Sequence, residues 1–339
     1  MDRKVRVVQY GTGKMSVYTM RYVYEKGAEI VGAVDVNPAV IGKDIGEIIG
    51  TENKGIKVVA LEQAEELLKQ VKPDIVIVTT MSLFADVEDA LMLCAKLGIN
   101  AITTCEEAFF PMNSNPTATK KIDEMAKQTG CTITGSGYQD IYWGQLVSTL
   151  ASSLNKIILI KGKSYYDIDN CNKEINLNHG VGLTIKEYKS KISINDDNEL
   201  FIPSFMWNVN GWLASKLNLR ILKSTQKRKP VITKVPIYSN GLKRIINVGQ
   251  VIGTNTIVES ETKEGIKISS STVGKIFSKN TKAKTKWCLY GDPHVNISLT
   301  SLNASKLTAS ITVNRIPDVI NARAGFVTTD KIGELIYRN

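Results

Sequence analysis

Short apolar runs alternate with helix-compatible segments over the first 135 residues, and no other feature of the sequence constrains the fold as strongly. The run Ile75-Val76-Ile77-Val78 is typical, because consecutive apolar residues suit a strand that is buried on both faces. Gly98 and Gly130 stand where two of the intervening helices should end. Repeated strand–helix–strand units predict an α/β domain, built as a doubly wound parallel sheet with helices on both faces.

The second part of the chain has a different pattern. From Asn155 onwards polar and apolar residues alternate, with many Ile, Val, Thr and Ser, and this predicts an α+β domain with a mostly antiparallel sheet. The tail after Asn314 is expected to return to the first domain. The predicted strands of both parts cover residues 5–9, 29–34, 58–59, 74–79, 99–103, 131–134, 231–238, 245–252, 256–260, 266–273, 287–290 and 309–313. The predicted helices cover residues 14–26, 61–71, 83–97, 116–129, 140–154, 184–192 and 203–219.

Length and composition agree with two ordinary domains. The chain has 339 residues, of which 43% are hydrophobic and 22% charged, as is usual for globular proteins in solution. No apolar run reaches the ~20 residues that span a bilayer. The strand pattern begins at Val5 and leaves no room for a signal peptide. We therefore expect a cytoplasmic protein with no membrane partner.

Cysteines, histidines and charge exclude several classes of function. The five cysteines form no C-x-x-C pair and the two histidines are far apart in sequence, so we expect reduced thiols and no metal site. The net charge is +10, but the lysines are scattered and not interleaved with aromatic residues. This distribution indicates solvated loops and no nucleic-acid partner, although the charge would attract an anionic cofactor or substrate.

The first predicted strand ends in a turn with the spacing of a phosphate-binding loop. Gly11-Thr12-Gly13-Lys14-Met15-Ser16 follows the strand and opens a helix, and Ser16 stands where such loops usually have a third glycine. The next strand ends at Asp35, where an acid accepts hydrogen bonds from the adenosine ribose. Together they predict a Rossmann dinucleotide-binding domain, with a plain strand-to-helix turn as the alternative.

The cofactor is predicted to be NAD or NADP. Asp35 favours NAD because an acid repels a 2′-phosphate, while Asn37 and Lys43 nearby leave NADP open. Ligands of open parallel sheets bind at the carboxyl ends of the strands. The loops after the predicted strands at residues 74–79 and 99–103 should therefore lie along the cofactor. The predicted cofactor-binding residues are Gly11, Thr12, Gly13, Lys14, Met15, Asp35, Asn37, Thr79, Thr80 and Thr104. We assign residues 1–134 and 314–339 to this domain, and residues 135–313 to substrate binding and oligomerisation.

Two adjacent acids are candidates for a general base. Glu106 and Glu107 follow a strand of the predicted parallel sheet, and apolar residues come directly after them. Partial burial would raise a carboxyl pKa towards neutrality, where a base works best. Glu106 is the favoured residue. The alternative is that the pair caps a helix or faces water.

Three further polar residues are candidates for catalysis or substrate binding. Tyr138 and Asp140 lie in a glycine-rich aromatic segment at the junction of the predicted domains, where clefts commonly bind substrates. Asp140 could hold a substrate ammonium or simply cap the following helix. His179 lies in a glycine loop that enters a helix at Thr184, and a solvated or structural histidine is the alternative. His294 follows Pro293 and indicates a turn.

These segments resemble the 2,4-diaminopentanoate dehydrogenases, within the broader group of dihydrodipicolinate-reductase-like and native amine dehydrogenases. The resemblance runs over nearly the whole chain, and Gly180-Val181-Gly182-Leu183 and the tail are its most specific parts. Its segments are residues 11–15, 32–38, 104–108 with Pro111, 137–140, 179–184 and 313–322. The sequence departs from the family at Ser16 and at Arg323, where a smaller residue or proline is expected. It also lacks the His-His and Lys substrate motif of dihydrodipicolinate reductases proper.

The resemblance implies a reaction and an assembly. The reaction is oxidative deamination of (2R,4S)-2,4-diaminopentanoate at C4, a step of ornithine degradation, which gives 2-amino-4-oxopentanoate, ammonia and reduced NAD or NADP. The family places its catalytic glutamate at the position of Glu106 and implies a homodimer. Two alternatives stay open: a related amine or diaminopimelate dehydrogenase for another chain length, and a non-catalytic dinucleotide-binding regulator.

Overall fold

The computed structural model describes residues 3–169, 171, 173–192, 203–279, 281–300 and 302–338. The chain divides into two compact units, residues 1–145 with 303–339 and residues 146–302. The predicted junctions lay at residues 134/135 and 313/314. The assignment of the cofactor to the first domain and of the substrate to the second stays a prediction.

The first unit is built on a seven-stranded sheet in which every neighbouring pair of described strands is parallel. The strand order is β15-β6-β5-β4-β1-β2-β3. The strands are β1 Arg6–Tyr10, β2 Glu29–Asp35, β3 Val58–Ala60, β4 Ile75–Val78, β5 Asn100–Thr103, β6 Thr132–Gly135 and β15 Gly325–Phe326. The four residues of β4 are fully buried, as expected for a strand inside a sheet that is covered on both faces. The predicted doubly wound α/β fold is confirmed.

Helices connect these strands. They are α1 Ser16–Glu25, α2 Ile45–Ile49, α3 Ala64–Val71, α4 Phe84–Lys96, α5 Pro116–Thr129 and α10 Ala304–Ile320. Helix α5 begins with Pro116 and ends before Gly130, whose φ of +81° is the left-handed conformation that closes helices. Helix α3 ends at Val71, the following residue Lys72 also has a positive φ, and Pro73 prevents continuation of the helix. No helix in the described part of the chain combines the length and apolarity needed to cross a membrane.

The predicted strand at residues 309–313 is wrong, because these residues lie inside helix α10. Their alternation of apolar and small polar residues imitates a strand over so short a window. The longer pattern is helical, since Thr308, Thr312 and Arg315 are all buried at spacings of four and three. Packing of that face outweighs the low helix propensity of β-branched residues. After α10 the tail returns to the first sheet, where β15 pairs with β6 as expected.

The second unit contains a six-stranded sheet of order β14-β13-β7-β12-β11-β8. Among the described strands, β7 and β12 are parallel and the other four neighbouring pairs antiparallel, so the predicted mostly antiparallel sheet is confirmed. Its strands are β7 Lys156–Asp167, β8 Ile221–Ile232, β11 Val251–Thr262, β12 Lys267–Lys275, β13 Lys284–Asp292 and β14 Val295–Thr300, beside the small pair β9 Ile237–Ser239 and β10 Arg244–Ile246. The helices of this unit are α6 Leu146–Ala151, α7 Lys173–Asn178, α8 Ile185–Lys191 and α9 Phe205–Lys216.

Several predicted boundaries in this unit were misplaced. The predicted strands at residues 231–238 and 245–252 each contain a turn, so each joins parts of two strands. The prediction also missed most of β8, which is an edge strand rich in lysine (Lys223, Lys227, Lys229). Lysines protect sheet edges from pairing with other chains, and they dilute the apolar alternation by which a strand is recognised. The predicted helix at residues 140–154 is a π-helix, Asp140–Gln145, followed by α6.

Candidate active site

The loop after β1 has the geometry of a phosphate-binding turn. Gly11 has a φ of +88°, and a Cβ there would lie 2.8 Å from Thr80 Cγ2, so only glycine fits. Gly13 is exposed, and a Cβ there would meet nothing within 4 Å. The backbone at Gly13 is therefore open to a close approach by an anion. Helix α1 begins at Ser16 and presents its N-terminal amides and positive dipole end to the same place.

Ser16 replaces the third glycine without loosening the loop. Its side chain is fully buried, and its Oγ donates a hydrogen bond of 2.6 Å to the carbonyl oxygen of Gly13. The serine is small enough for the helix to pack on the sheet. Its hydroxyl also ties the start of α1 to the second glycine of the loop.

Gln9 supports the glycine loop through hydrogen bonds made inside the sheet. This role was not predicted from the sequence. Its Nε2 donates to the Gly11 carbonyl oxygen at 2.9 Å and to Thr79 Oγ1 at 2.8 Å, and its Oε1 accepts from Thr19 Oγ1 at 3.0 Å. Thr79 Oγ1 in turn donates to the Gly11 carbonyl at 3.0 Å. The hydroxyl of Thr79 is thus engaged inside the protein, whereas Thr80 is exposed. A polar residue in the apolar run Val7-Val8-Gln9-Tyr10 was the signal that could have revealed this role.

Asp35 at the end of β2 is joined directly to the loop. Its Oδ2 accepts hydrogen bonds from the Thr12 amide and, at 2.7 Å, from Thr12 Oγ1, while its Oδ1 accepts from the Asn37 amide at 2.8 Å. Burial raises the pKa of Asp35, but the hydrogen bonds from Thr12 and Asn37 outweigh it and hold the pKa below the usual value. The carboxylate is therefore charged at neutral pH. Lys14 and Asn37 are exposed, and Met15 is half-buried.

Glu106 lies just beyond the carboxyl end of β5. Thr104, two residues earlier, donates its amide to the Val78 carbonyl at 3.0 Å, which fixes the exit of the chain from the strand. Glu106 is partly buried. Burial raises its pKa above the usual value, and a hydrogen bond from the Ser82 side chain opposes the rise only in part. A carboxyl group of raised pKa at the ligand-binding edge of a parallel sheet suits a general base.

Glu107 has a different environment although it is the next residue. Its Oε2 accepts a hydrogen bond of 2.6 Å from the amide of Phe84, the first residue of α4, and its Oε1 accepts one of 2.8 Å from Asn115 Nδ2. A carboxylate at a helix N-terminus satisfies a free amide and interacts favourably with the helix dipole. The structure therefore gives Glu107 the alternative role considered above, that of a helix cap.

Asp140 is fully buried and paired with Arg315 of α10. Arg315 Nε donates to Asp140 Oδ2 at 2.9 Å and its Nη2 to Oδ1 at 3.3 Å. Ser136 Oγ and Gln145 Nε2 donate to the same carboxylate, each at 2.9 Å. With both oxygens engaged and no exposure, Asp140 is not placed to hold a substrate ammonium. Arg315 gives no signal of this role in the sequence, because its partner is 175 residues away.

Tyr138 belongs to an aromatic cluster beside the π-helix. Its ring stacks on Tyr142 with centroids 4.5 Å apart and meets the edge of Trp143 at 5.8 Å. Its backbone amide donates to Thr308 Oγ1 of α10 at 3.2 Å. The buried Nε1 of Trp143 has no hydrogen-bond partner within the described residues. A buried indole N–H normally finds a partner, so this donor is suited to a bound ligand.

His179 lies in the second unit, in a pair with Tyr166. Its Nδ1 is 2.8 Å from the Ile175 carbonyl oxygen and must donate, since a carbonyl only accepts. Its Nε2 then accepts from Tyr166 Oη at 2.8 Å. Burial lowers the pKa of His179, and the nearby charge of Arg228 adds to the effect, so the ring is neutral at pH 7. Gly274 permits the pair, because a Cβ there would lie 2.6 Å from both side chains.

The carboxyl edge of the first sheet brings together most of the predicted residues. It collects the loop from Gly11 to Met15, Asp35, Thr79, Thr80, Thr104 and Glu106, because parallel strands end at one edge. Tyr138 follows β6 at this edge, and His179 belongs to the other unit. In the described residues no three His, Cys, Asp or Glu side chains are grouped so as to hold a metal ion.

The parallel strand order and the glycine loop that opens α1 together define a Rossmann-type fold, the fold of many dehydrogenases. The model of the family described as 2,4-diaminopentanoate dehydrogenase C-terminal domain matches residues 142–334. The chain therefore belongs to the 2,4-diaminopentanoate dehydrogenase family, and it is an oxidoreductase that acts on an amine.

Relatives of known name agree with this family. The chain is 24% identical over 333 residues to 2,4-diaminopentanoate dehydrogenase of Acetoanaerobium sticklandii, covering 96% of this chain and 92% of the relative. It is similar to the solved amine dehydrogenase of Mycobacterium smegmatis, with a TM-score of 0.88, 31% identity, and coverage of 99% and 98%. Myo-inositol 2-dehydrogenase of Lactobacillus plantarum shares the fold alone, at a TM-score of 0.56, 12% identity, and coverage of 94% and 89%.

Proposed function

We propose that the protein oxidises 2,4-diaminopentanoate at C4, giving 2-amino-4-oxopentanoate and ammonia, as a step of ornithine degradation. The observation that carries the proposal is Glu106, a carboxyl group of raised pKa at the ligand-binding edge of the first sheet. Membership of the family and the name of the Acetoanaerobium relative support this substrate. The Mycobacterium relative is named an amine dehydrogenase, which favours simple amines as the second candidate.

The cofactor in this proposal is NAD or NADP, with NAD preferred. The residues present fit a dinucleotide, because the backbone at Gly13 is open while Gly11 and Gln9 hold the loop rigid behind it. The pyrophosphate would bind at the loop and the first turn of α1, and the adenosine ribose near Asp35. When bound, the oxidised nicotinamide supplies the hydride acceptor. The charge on Asp35 disfavours a 2′-phosphate.

Glu106 is the proton carrier in the proposed mechanism. An aliphatic amine has a pKa of ~10, like a lysine side chain, and is protonated at neutral pH. Glu106 takes a proton from this ammonium, which frees the nitrogen lone pair so that hydride can leave C4. Loss of hydride leaves a protonated imine at C4, and Glu106 releases its first proton to solvent. Water then attacks C4 while the ionised carboxylate accepts one proton of that water and passes it to the nitrogen of the carbinolamine. Release of ammonia from C4 then leaves the ketone.

The other candidates have supporting roles in this proposal. Tyr138 holds a polar group of the substrate that does not react, within the aromatic cluster that it forms with Tyr142. His179 has a supporting role inside the second unit, because its two ring nitrogens are engaged by Ile175 and Tyr166. Asp140 acts by fixing the π-helix through Arg315, and Glu107 by capping α4. Neither acid contacts the substrate. We further propose that the enzyme works in the cytoplasm as a homodimer.

A substrate screen tests the proposal. Purified protein is incubated with 2,4-diaminopentanoate, meso-diaminopimelate or simple alkyl amines, with NAD and with NADP separately, and reduced cofactor is followed by its absorbance. We expect the highest kcat/KM with 2,4-diaminopentanoate and NAD. A higher kcat/KM for an amine without a carboxylate would replace the first candidate by the second. No reduction of either cofactor with any amine would overturn the proposal.

A further inference from the structure

The last residues of the chain are tied back to the first unit. We call residues 333–338 the C-terminal clasp. Arg338 donates from Nε to the Asn314 carbonyl at 3.1 Å and pairs through Nη2 with Asp318, both on α10. Lys26, at the end of α1, donates to the Arg338 carbonyl and lies 4.3 Å from the ring centroid of Tyr337. The clasp is thus fixed at its outer end to two helices.

The inner end of the clasp reaches the π-helix by two routes. The Gly333 carbonyl accepts a hydrogen bond of 2.6 Å from Nη1 of Arg315, whose other nitrogens bind Asp140. The Leu335 amide donates to Gln145 Oε1 at 3.2 Å. Asp140 and Gln145 are the first and last residues of the π-helix. The clasp therefore contacts Gln145 at one end of the π-helix directly, and Asp140 at the other end through Arg315.

A side-chain hydrogen bond also joins the two ends of the π-helix. Gln145 Nε2 donates to Asp140 Oδ1 at 2.9 Å, across the five-residue spacing that defines a π turn. Such helices are rare and short, and they are frequent at functional sites. The π-helix carries Tyr142 and Trp143, which pack on Tyr138. The unpartnered buried N–H of Trp143 places a hydrogen-bond donor for a ligand on the same segment.

We propose that the C-terminal clasp is a positioning element for substrate binding. It holds the π-helix, and through it the cluster of Tyr138, Tyr142 and Trp143, in the arrangement that binds the diamino acid. The substrate part of this inference rests on the function proposed above. The structural part, that residues 333–338 keep the π-helix closed, is independent of the substrate. Gly333, Leu335 and Arg338 are positioning residues and do not touch the reacting atoms.

Three variants release the clasp to different degrees. One lacks residues 333–339, and a second is Arg338→Ala. The third is Gln145→Leu, which keeps the clasp and the Gly333–Arg315 hydrogen bond but removes the side chain that links Leu335 to Asp140. Glu334→Ala is the matched control, because Glu334 is in the same segment, is exposed, and has no side-chain hydrogen bond or ion pair to the described residues. Arg338→Lys keeps a positive charge near Asp318, so this variant is expected to retain part of the substrate binding that Arg338→Ala loses.

The test combines kinetics with hydrogen exchange of the full-length protein and its variants. We expect the truncation and Gln145→Leu to raise the KM for 2,4-diaminopentanoate about tenfold, as for the loss of a hydrogen bond, with the Kd for NADH unchanged. Amides of residues 140–145 should exchange about tenfold faster in both variants, with no change in β4 and β5. Glu334→Ala should match the parent in every measurement.

Two results would overturn the proposal. One is unchanged exchange of residues 140–145 after truncation. The other is a parallel loss of NADH binding and substrate binding, which would indicate general destabilisation. If the parent protein oxidises no amine, the proposed function fails, and the exchange measurement alone still decides whether the clasp holds the π-helix.

Discussion

Glu106 and Glu107 are neighbours in sequence with different surroundings, and substitution of each should have a different result. Glu106→Gln removes the proposed base, so kcat should fall by a factor of about 10² to 10⁴ while the Kd for NADH stays the same. Glu107→Gln retains an oxygen for the Phe84 amide and should keep most of the turnover. Steady-state kinetics and fluorescence titration with NADH give the two quantities. A fully active Glu106→Gln protein would remove Glu106 from the mechanism.

The pH dependence of the reaction tests the raised pKa of Glu106. The base must be ionised to accept a proton, so kcat/KM should rise as the pH increases through this pKa. Because burial raises the pKa, the rise should occur at higher pH than the ~4.3 of an exposed glutamate. The hydrogen bond from Ser82 lowers the pKa, so Ser82→Ala should move the midpoint further up. A midpoint that moves down in this variant would contradict the assignment.

Gly11 and Gly13 are required for different reasons, and two alanine substitutions separate them. Gly11→Ala places a Cβ 2.8 Å from Thr80 at a φ of +88°, so it should lower the melting temperature as well as coenzyme affinity. Gly13→Ala meets no protein atom within 4 Å, so it should weaken NADH binding without lowering stability. Calorimetry and thermal unfolding measure the two effects. Equal melting temperatures for the two variants would refute the explanation.

At the scale of elements, α4 depends on a cap supplied from another part of the chain. Glu107 satisfies the amide of Phe84 at the N-terminus of this helix and binds Asn115 as well. Glu107→Ala should therefore lower the free energy of unfolding by about 1–3 kcal/mol, since it leaves buried partners unsatisfied. Glu66→Ala on the exposed face of α3 is the control and should be neutral within about 0.5 kcal/mol. Urea unfolding curves compare the variants with the parent protein.

Helices and strands were predicted correctly where the residues of the element itself carry the signal for its type and its ends. The buried strands β1, β2, β4 and β5 and the helices α4 and α5 were found within one or two residues, because apolar runs and terminal glycines mark them locally. Helix α10 was mistaken in part for a strand because its burial comes from packing on α1 and on the sheet. Five residues of alternating pattern do not reveal that environment.

At the scale of the whole molecule, the family resemblance implies a dimer. Light scattering should give a mass of about twice the 37.3 kDa of one chain. Lys163 and Lys286 are directly opposite each other on the sheet of the second unit, with Lys161 and Lys284 nearby. If two copies associate through this sheet face, added salt should tighten the dimer by screening like charges. A monomeric mass at every ionic strength would exclude the dimer.

The sequence by itself determined the parallel sheet, the glycine loop, the acid at the end of β2 and the position of Glu106. All of these follow from short stretches whose spacing reflects local backbone geometry. Only the tertiary structure decided that Glu107 caps α4, that Asp140 is neutralised by Arg315, and that Gln9 supports the loop. Each of these roles depends on a partner brought close by folding, up to 175 residues away in the chain. A carboxylate looks the same in sequence whether it faces a substrate or a buried guanidinium, and the free energy that separates the two cases comes from burial and hydrogen bonding.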